Sequence, residues 1–265
     1  MRRIILILIV LLAAIALVAC GGNGADDDAG MSEGGFAPNQ TAVAYMYVHG
    51  GYVGQATAST DGEGNLDVEI DEAFLPHSIA VVDMESDDWN EDNTVFYVQR
   101  GNEVRVAKWV SLGDTNYVGT TVGTALAYVE ADEEGNPAGG TILEKGILRN
   151  QGSMAQYWNG IGDGAFQIYT EFGGDGMTVD TTRYGSLYKD GSSYWAEGTS
   201  GLGWQANMDA IEEFIEENGA DYSLEQMERT NDGWEVADTV TGATASDFVD
   251  YFTLAQLAVA QLNVQ

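Results

Sequence analysis

The sequence predicts an α+β fold, an antiparallel sheet of hairpins with C-terminal helices packed on it. Period-two alternation early in the chain, glycine at nearly every junction and helical spacing of apolar residues in the last quarter carry this reading. The alternation begins around Tyr45, where Val48-His49-Gly50-Gly51-Tyr52-Val53-Gly54 marks a glycine-rich turn. It continues through Ala56 and Ala58 and, beyond Asp61-Gly62-Glu63-Gly64-Asn65, through Leu66, Val68 and Ile70. Residues 45–70 thus read as a β-hairpin. Further strands are expected at 94–99, 104–110, 124–129, 166–170 and 193–197, and an amphipathic helix at 147–158. The helix expected over 205–218 places Met208, Ile211 and Ile215 on one stripe and stops at Asn218-Gly219. A last helix over 246–262 repeats Phe248, Phe252, Ala255, Val259 and Leu262 at helical spacing. Ser246 can cap it, and Asp247 and Asp250 suit its positive first turn.

Residues 1–19 have the form of an export signal: Arg2 and Arg3, then an unbroken apolar run from Ile4 to Ala19. The run is too short for a spanning helix and too closely followed by a processing site. Leu17-Val18-Ala19-Cys20 resembles the bacterial lipobox, which implies cleavage before Cys20 and its acylation, hence an extracytoplasmic lipoprotein held to a membrane at the cell surface or in the periplasm. Cys20 is the single cysteine and cannot form an internal disulfide; a free thiol is the bland alternative, and its position at the end of this pattern favours the anchor. Residues 20–40 are acidic and glycine-rich, a flexible tether. Residues 41–265 are expected to form one domain, with no assignable motif over 76–185.

Ten basic residues oppose 42 acidic ones. Loss of Arg2 and Arg3 with the signal leaves 8 basic residues and a formal net charge of -34. Nucleic acid is excluded as a partner. Only three of the ten basic residues are Lys, and the balance suggests a saline habitat that screens self-repulsion; a calcium-rich acidic binder is the competing reading.

Between the last two helices stands Asp238-Thr239-Val240-Thr241-Gly242-Ala243-Thr244-Ala245-Ser246. It is a loop of small residues delivering hydroxyls and a glycine to a helix amino terminus. Free amides and the helix dipole there favour a phosphate, and Gly242 and Ala243 allow close approach. An ordinary N-cap loop has the same composition.

Asp238-x-x-Thr241-Gly242-Ala243-Thr244 before a C-terminal amphipathic helix resembles the flavinylation motif of the FMN-binding domain family. That family includes subunits of the sodium-pumping quinone reductase and the Rnf complex, and extracellular electron-transfer lipoproteins. The resemblance implies an FMN-binding-domain-like fold. It also implies an FMN phosphate joined to the Thr244 hydroxyl by a separate FAD-dependent flavin transferase that uses magnesium and requires Asp238. Upstream, Glu197-Gly198-Thr199-Ser200-Gly201-Leu202-Gly203 resembles the family's Glu-Thr-Pro-Gly-Leu-Gly loop, with Ser200 in place of Pro and one extra residue after Glu197. Gly201, Leu202 and Gly203 would then approach the flavin, and Trp204 is the favoured stacking residue over Trp234 and Tyr188. The implied function is electron carriage, from a membrane quinol or flavin reductase to an external partner, rather than stand-alone catalysis. Noncovalent FMN is a further possibility, and the alternative is a noncatalytic lipoprotein that binds a solute or cation without flavin.

Other signals are weaker. Residues 201–206 satisfy a loose dinucleotide fingerprint, but the chain ends before a full βαβ set and an exported protein lacks a nicotinamide supply. Gly160-Ile161-Gly162-Asp163-Gly164-Ala165 places an acid where a phosphate would sit. Asp61, Glu63, Asn65, Asp67, Glu69 and Glu72 have the spacing of a helix-loop-helix calcium site, yet Leu66 replaces the required glycine, so they read as the solvated face of a hairpin. The acids of residues 83–92 read as a solvated loop. His49 and His77 lack partners at metal spacing, and no Gly-x-Ser-x-Gly elbow occurs.

Overall fold

A computed structural model describes residues 35–198 and 202–264. The chain begins with a meander, β1 (Thr41–Val48), β2 (Tyr52–Thr60) and β3 (Leu66–Phe74), paired antiparallel in that order. Gly50 and Gly51 make the first turn at φ +97° and +103°, a conformation only glycine enters without strain. Asp61 holds the second turn: its carboxylate accepts the amides of Glu63 and Asn65 and the Asn65 side chain. A single helical turn, α1 (Pro76–Ile79), leads to a hairpin of β4 (Thr94–Gln99) and β5 (Asn102–Ala107).

Next come β6 (Trp109–Leu112), β7 (Thr115–Val122), β8 (Ala125–Ala131), β9 (Pro137–Ile142), α2 (Leu143–Ile147), α3 (Gln151–Gly162), β10 (Phe166–Tyr169) and β11 (Met177–Thr178). These strands make a six-stranded antiparallel sheet ordered β11-β10-β6-β7-β8-β9. Helix α4 (Gly203–Asn218), a small sheet of β12 (Met227–Arg229), β13 (Trp234–Val236) and β14 (Thr239–Val240), and helix α5 (Phe248–Val259) complete the chain. The fold is α+β with antiparallel sheets and late helices, as expected.

Alternation on the meander explains its two-sided packing. Ala44, Ala56, Ala58, Val68 and Ile70 meet Met208, Ile211 and Ile215 of α4 and Phe248, Phe252 and Ala255 of α5 in one core. A methyl at Gly54 would lie 2.7 Å from Leu254 Cδ2, so a glycine is what lets α5 approach β2. Val53, Ala73 and Phe74 belong to a second core with Ile79, Val106, Tyr157 and Phe166. Residues 76–185 therefore build the layer behind the meander.

The free edge of β3 is closed twice over, as an exposed edge would invite pairing. The Glu212 and Glu216 carboxylates of α4 accept the amides of Ile70 and Val68. Farther along, Phe74 N–H donates to the Leu187 carbonyl and Lys189 N–H to the Glu72 carbonyl, which lays residues 187–189 alongside the strand.

Several expected elements differ. Residues 193–197 are not a strand: Trp195 has φ +45°, and Tyr194 and Trp195 pack against the first core from a turn. The run 104–110 is split at Lys108 into β5 and β6, and the expected helix 147–158 is two helices divided where Asn150 caps α3 through the Ser153 amide. Helix α5 starts at Phe248, and neither Ser246 nor Asp247 caps it with a side chain. Phe36 to Gln40, read as the tether's end, are tied to the C terminus: Phe36 bridges Val264, and Gln40 accepts the Asn263 amide. Residues 1–34, with the expected signal and Cys20, lie outside the described residues. No helix among the described residues is long and apolar enough to cross a membrane.

Candidate functional site

The threonine-rich loop is built by the β13–β14 hairpin. Val236 pairs with Thr239, leaving Ala237 and Asp238 as a two-residue turn with φ +48° and +67°. Asp238 is exposed at the tip. Thr241 is buried, its hydroxyl donating to the Trp234 carbonyl and accepting the Ala243 amide. Trp234 closes the clamp: its amide donates to the Ala243 carbonyl, its indole N–H to the Ala245 carbonyl, and its ring stacks on Phe248 at 5.0 Å. Gly242, at φ +82°, is exposed, and Ala243 is fully buried.

Thr244 is half-buried. One residue fixes it: the Oδ1 of Asn207, on α4 and wholly buried, accepts the Thr244 amide at 2.5 Å, the Ala245 amide at 2.8 Å and the Thr244 hydroxyl at 3.2 Å. Asn207 Nδ2 donates to the Gly203 carbonyl, so its orientation is determined from both ends. The Arg229 guanidinium reaches the Thr244 carbonyl at 3.4 Å. Beyond Ala245, the amides of Ser246 and Asp247 have no acceptor among the described residues. The Thr244 hydroxyl, the two free amides and an Arg229 guanidinium bonded to the Thr244 carbonyl thus all belong to this loop or touch it, donor chemistry that suits a phosphate.

Gly203 opens α4 at φ +80°, where a methyl would come within 2.7 Å of the Glu197 nitrogen and 2.9 Å of the Trp195 carbonyl oxygen. Leu202 is half-buried before it, and Gly201 lies outside the described residues. Trp204 is 2% exposed, and its indole N–H donates to Glu72 Oε2.

A cleft of about 500 Å³ has Ala245, Ser246 and Asp247 in its wall. The rest of the lining includes Tyr52, Tyr194, Trp204, Lys189, Arg100 and His49. A second cleft of about 440 Å³ shares Lys189, Tyr194, Trp195 and Trp204. Thr244 is not itself in either lining. The volume falls within the range of small-molecule and cofactor sites.

Between the two clefts lies a buried ion pair. Lys189 contacts Glu72 Oε2, which also accepts from Trp204 and from the Tyr251 hydroxyl at 3.1 Å each, while Glu72 Oε1 has no partner among the described residues. Burial pushes the Glu72 carboxyl upward, and Lys189 opposes that shift. Burial likewise raises Tyr251 and Tyr52 far above the ordinary phenol range. Lys189 Nζ sits 3.6 Å from the Tyr52 ring centroid and 4.4 Å from that of Tyr194.

The structure brings Thr241, Gly242, Ala243 and Thr244 into one loop beside Gly203 and Trp204. Trp234 is engaged in clamping the loop, and Tyr188 packs on Trp158 in the other core, donating to the Trp158 carbonyl. Gly160 and Gly162 lie within α3 and form no phosphate loop. His49 is exposed, with its amide bonded to Asp250, and His77 pairs with Glu144. Among the described residues no group of three or more potential ligands is placed to hold a metal ion. Glu72 corrects the reading of a solvated acidic face, since it is completely buried. Glu72, Lys189, Asn207 and Arg229 were not foreseen as site residues. No protein-family model, curated protein or solved structure matches the chain.

Proposed function

We propose that this domain carries FMN, joined through its phosphate to the Thr244 hydroxyl, and serves as an electron carrier on an extracytoplasmic membrane surface. The observation that carries the reading is the position of Thr244: its hydroxyl stands one residue before a wall of an aromatic-lined cleft. The residues present fit the group. Arg229 and the free amides of Ser246 and Asp247 answer a phosphate's charge, and the half-buried Tyr52 and Tyr194 side chains in the cleft lining offer aromatic surface to a ring. Bound FMN would supply two-electron, two-proton redox chemistry between a reduced donor and an oxidant, the chemistry being the cofactor's own. The chain's part is to hold the phosphate, to shape the cleft and to set its charge.

The lipobox-like Cys20 supports attachment to a membrane, and the family resemblance supports a quinol or flavin reductase as donor and a FAD-dependent transferase for loading. The exposed turn carrying Asp238 leaves that carboxylate within reach of such a transferase. Co-expression with a flavin transferase tests the reading. The denatured protein is expected to fluoresce yellow under ultraviolet light and to gain the mass of FMN less one water. Thr244→Ala should give no adduct while keeping the fold, because the hydroxyl makes one long hydrogen bond. A wild-type chain without added mass defeats the covalent assignment; flavin lost on denaturation would leave noncovalent binding.

A further inference from the structure

We infer that Lys189, fixed by Glu72 in the wall of the cleft, is the charge that sets the reduction potential of the ring bound there. The inference rests on the proposal that the cleft receives FMN. Lys189 and Glu72 are 3% and 0% exposed at their side chains, and the three donors on Glu72 Oε2 hold the carboxylate in one orientation. Lys189 belongs to the lining of both clefts, whereas Glu72 belongs to neither. The positive member of the pair is therefore the one that reaches the cleft walls, with its Nζ against the Tyr52 and Tyr194 rings.

A buried ion pair is poor evidence of a stability role, since apolar residues of similar volume commonly serve as well. This one buries a carboxyl with one oxygen unsatisfied beside the lysine, a cost that points to another use. Reduction adds negative charge to the ring before protons balance it, and a cation at the wall favours that state in a site of low dielectric constant. The acidic surface acts in the opposite sense but only where salt permits. At about 1 M salt, fields from exposed charges fall off within about 3 Å, whereas a buried charge is screened far less. In a saline medium the buried Lys189–Glu72 pair still acts on the cleft, and Lys189, its member in the lining, sets the sign.

The test uses the flavinylated full-length protein and its Lys189→Met, Lys189→Arg and Lys189→Met/Glu72→Gln variants. Each is titrated spectroelectrochemically at about 0.1 M and about 1 M salt. The double variant leaves no unpaired buried charge and keeps an acceptor for Trp204 and Tyr251, so it guards against loss of folding. Lys189→Met and the double variant should both have lower midpoints. At the wild-type midpoint potential their oxidised-to-reduced ratio should rise about tenfold, at both salt concentrations, while Lys189→Arg stays near wild type. Folded, flavinylated variants with the wild-type midpoint overturn this inference alone. So does a shift that vanishes at about 1 M salt. A wild-type chain that binds no flavin overturns both this inference and the reading beneath it.

Discussion

Asn207 Oδ1 lies 2.5 Å from the amide nitrogen of Thr244, and the same oxygen takes the Ala245 amide and the Thr244 hydroxyl. One buried side chain thus converts the position of α4 into the position of the threonine loop. Asn207→Ala leaves two amides and the Gly203 carbonyl without that partner. Since an unsatisfied buried group costs about 1–3 kcal/mol, the variant should lose roughly 2–3 kcal/mol of stability. Urea denaturation measures the loss. Flavinylation yield by intact mass should fall further than stability alone explains, because Thr244 loses its orientation.

Gly203 is tested differently, since its constraint is steric. At φ +80° with backbone atoms 2.7 Å and 2.9 Å from a would-be Cβ, Gly203→Ala combines left-handed strain with a backbone clash. We expect a loss of at least about 1–2 kcal/mol, seen as a lower denaturation midpoint with an unchanged denaturant slope. A Gly113→Ala control, also at positive φ (+59°) but with nothing within 4 Å, should lose less.

The contrast between Asn207 and Gly203 shows what the sequence could disclose. Gly203 and Thr244 stood in recognisable local patterns. Asn207 did not, yet a signal was present: with Trp204, Met208, Ile211 and Ile215 it lies on the buried stripe of α4, where a polar residue must have a partner. Glu72 left a similar trace, sharing the even phase of Leu66, Val68, Ile70 and Phe74 rather than that of Asp67 and Glu69. Lys189 left none, because its burial depends on residues 187–189 joining β3 across more than a hundred positions. The same limit hid the six-stranded sheet. β9 is largely exposed and glycine-rich, without alternation to mark it, and β6 finds β10 only after two helices intervene. Conversely, 193–197 has a strand's composition but folds around Trp195 at positive φ.

Glu212 makes the stability of α4 against β3 depend on pH. Burial raises its carboxyl from 4.5 to about 7, with Asp209, Glu216 and Glu69 adding to the shift and the Ile70 amide opposing it. Between those values the native chain holds a proton that unfolding releases, so this stabilisation is complete below about 4.5 and is lost as pH rises through about 7. Glu212→Gln keeps an acceptor for Ile70 without the charge. It should raise the melting temperature at pH above 7 and flatten the pH dependence between about 4.5 and 7. Equal melting temperatures for the two proteins across that range would refute the assignment.

The acidic surface gives the broadest expectation. Forty-two acidic residues face ten basic ones, and the described residues include only three ion pairs, one of them the buried Glu72–Lys189 contact. Most of the carboxylates therefore repel one another across solvent, with a range of about 10 Å at 0.1 M salt and about 3 Å at 1 M. Raising sodium chloride between those concentrations should stabilise the domain. A gain of about 1–2 kcal/mol corresponds to a rise in melting temperature of about 2–8 °C for a chain of this size. Screening and salting-out are separable by anion: if charge repulsion is the cause, chloride at equal ionic strength should do nearly as well as sulfate. A melting temperature indifferent to chloride would mean that the carboxylates are already neutralised, by protons or by bound cations, and would remove salt adaptation from the account of this surface.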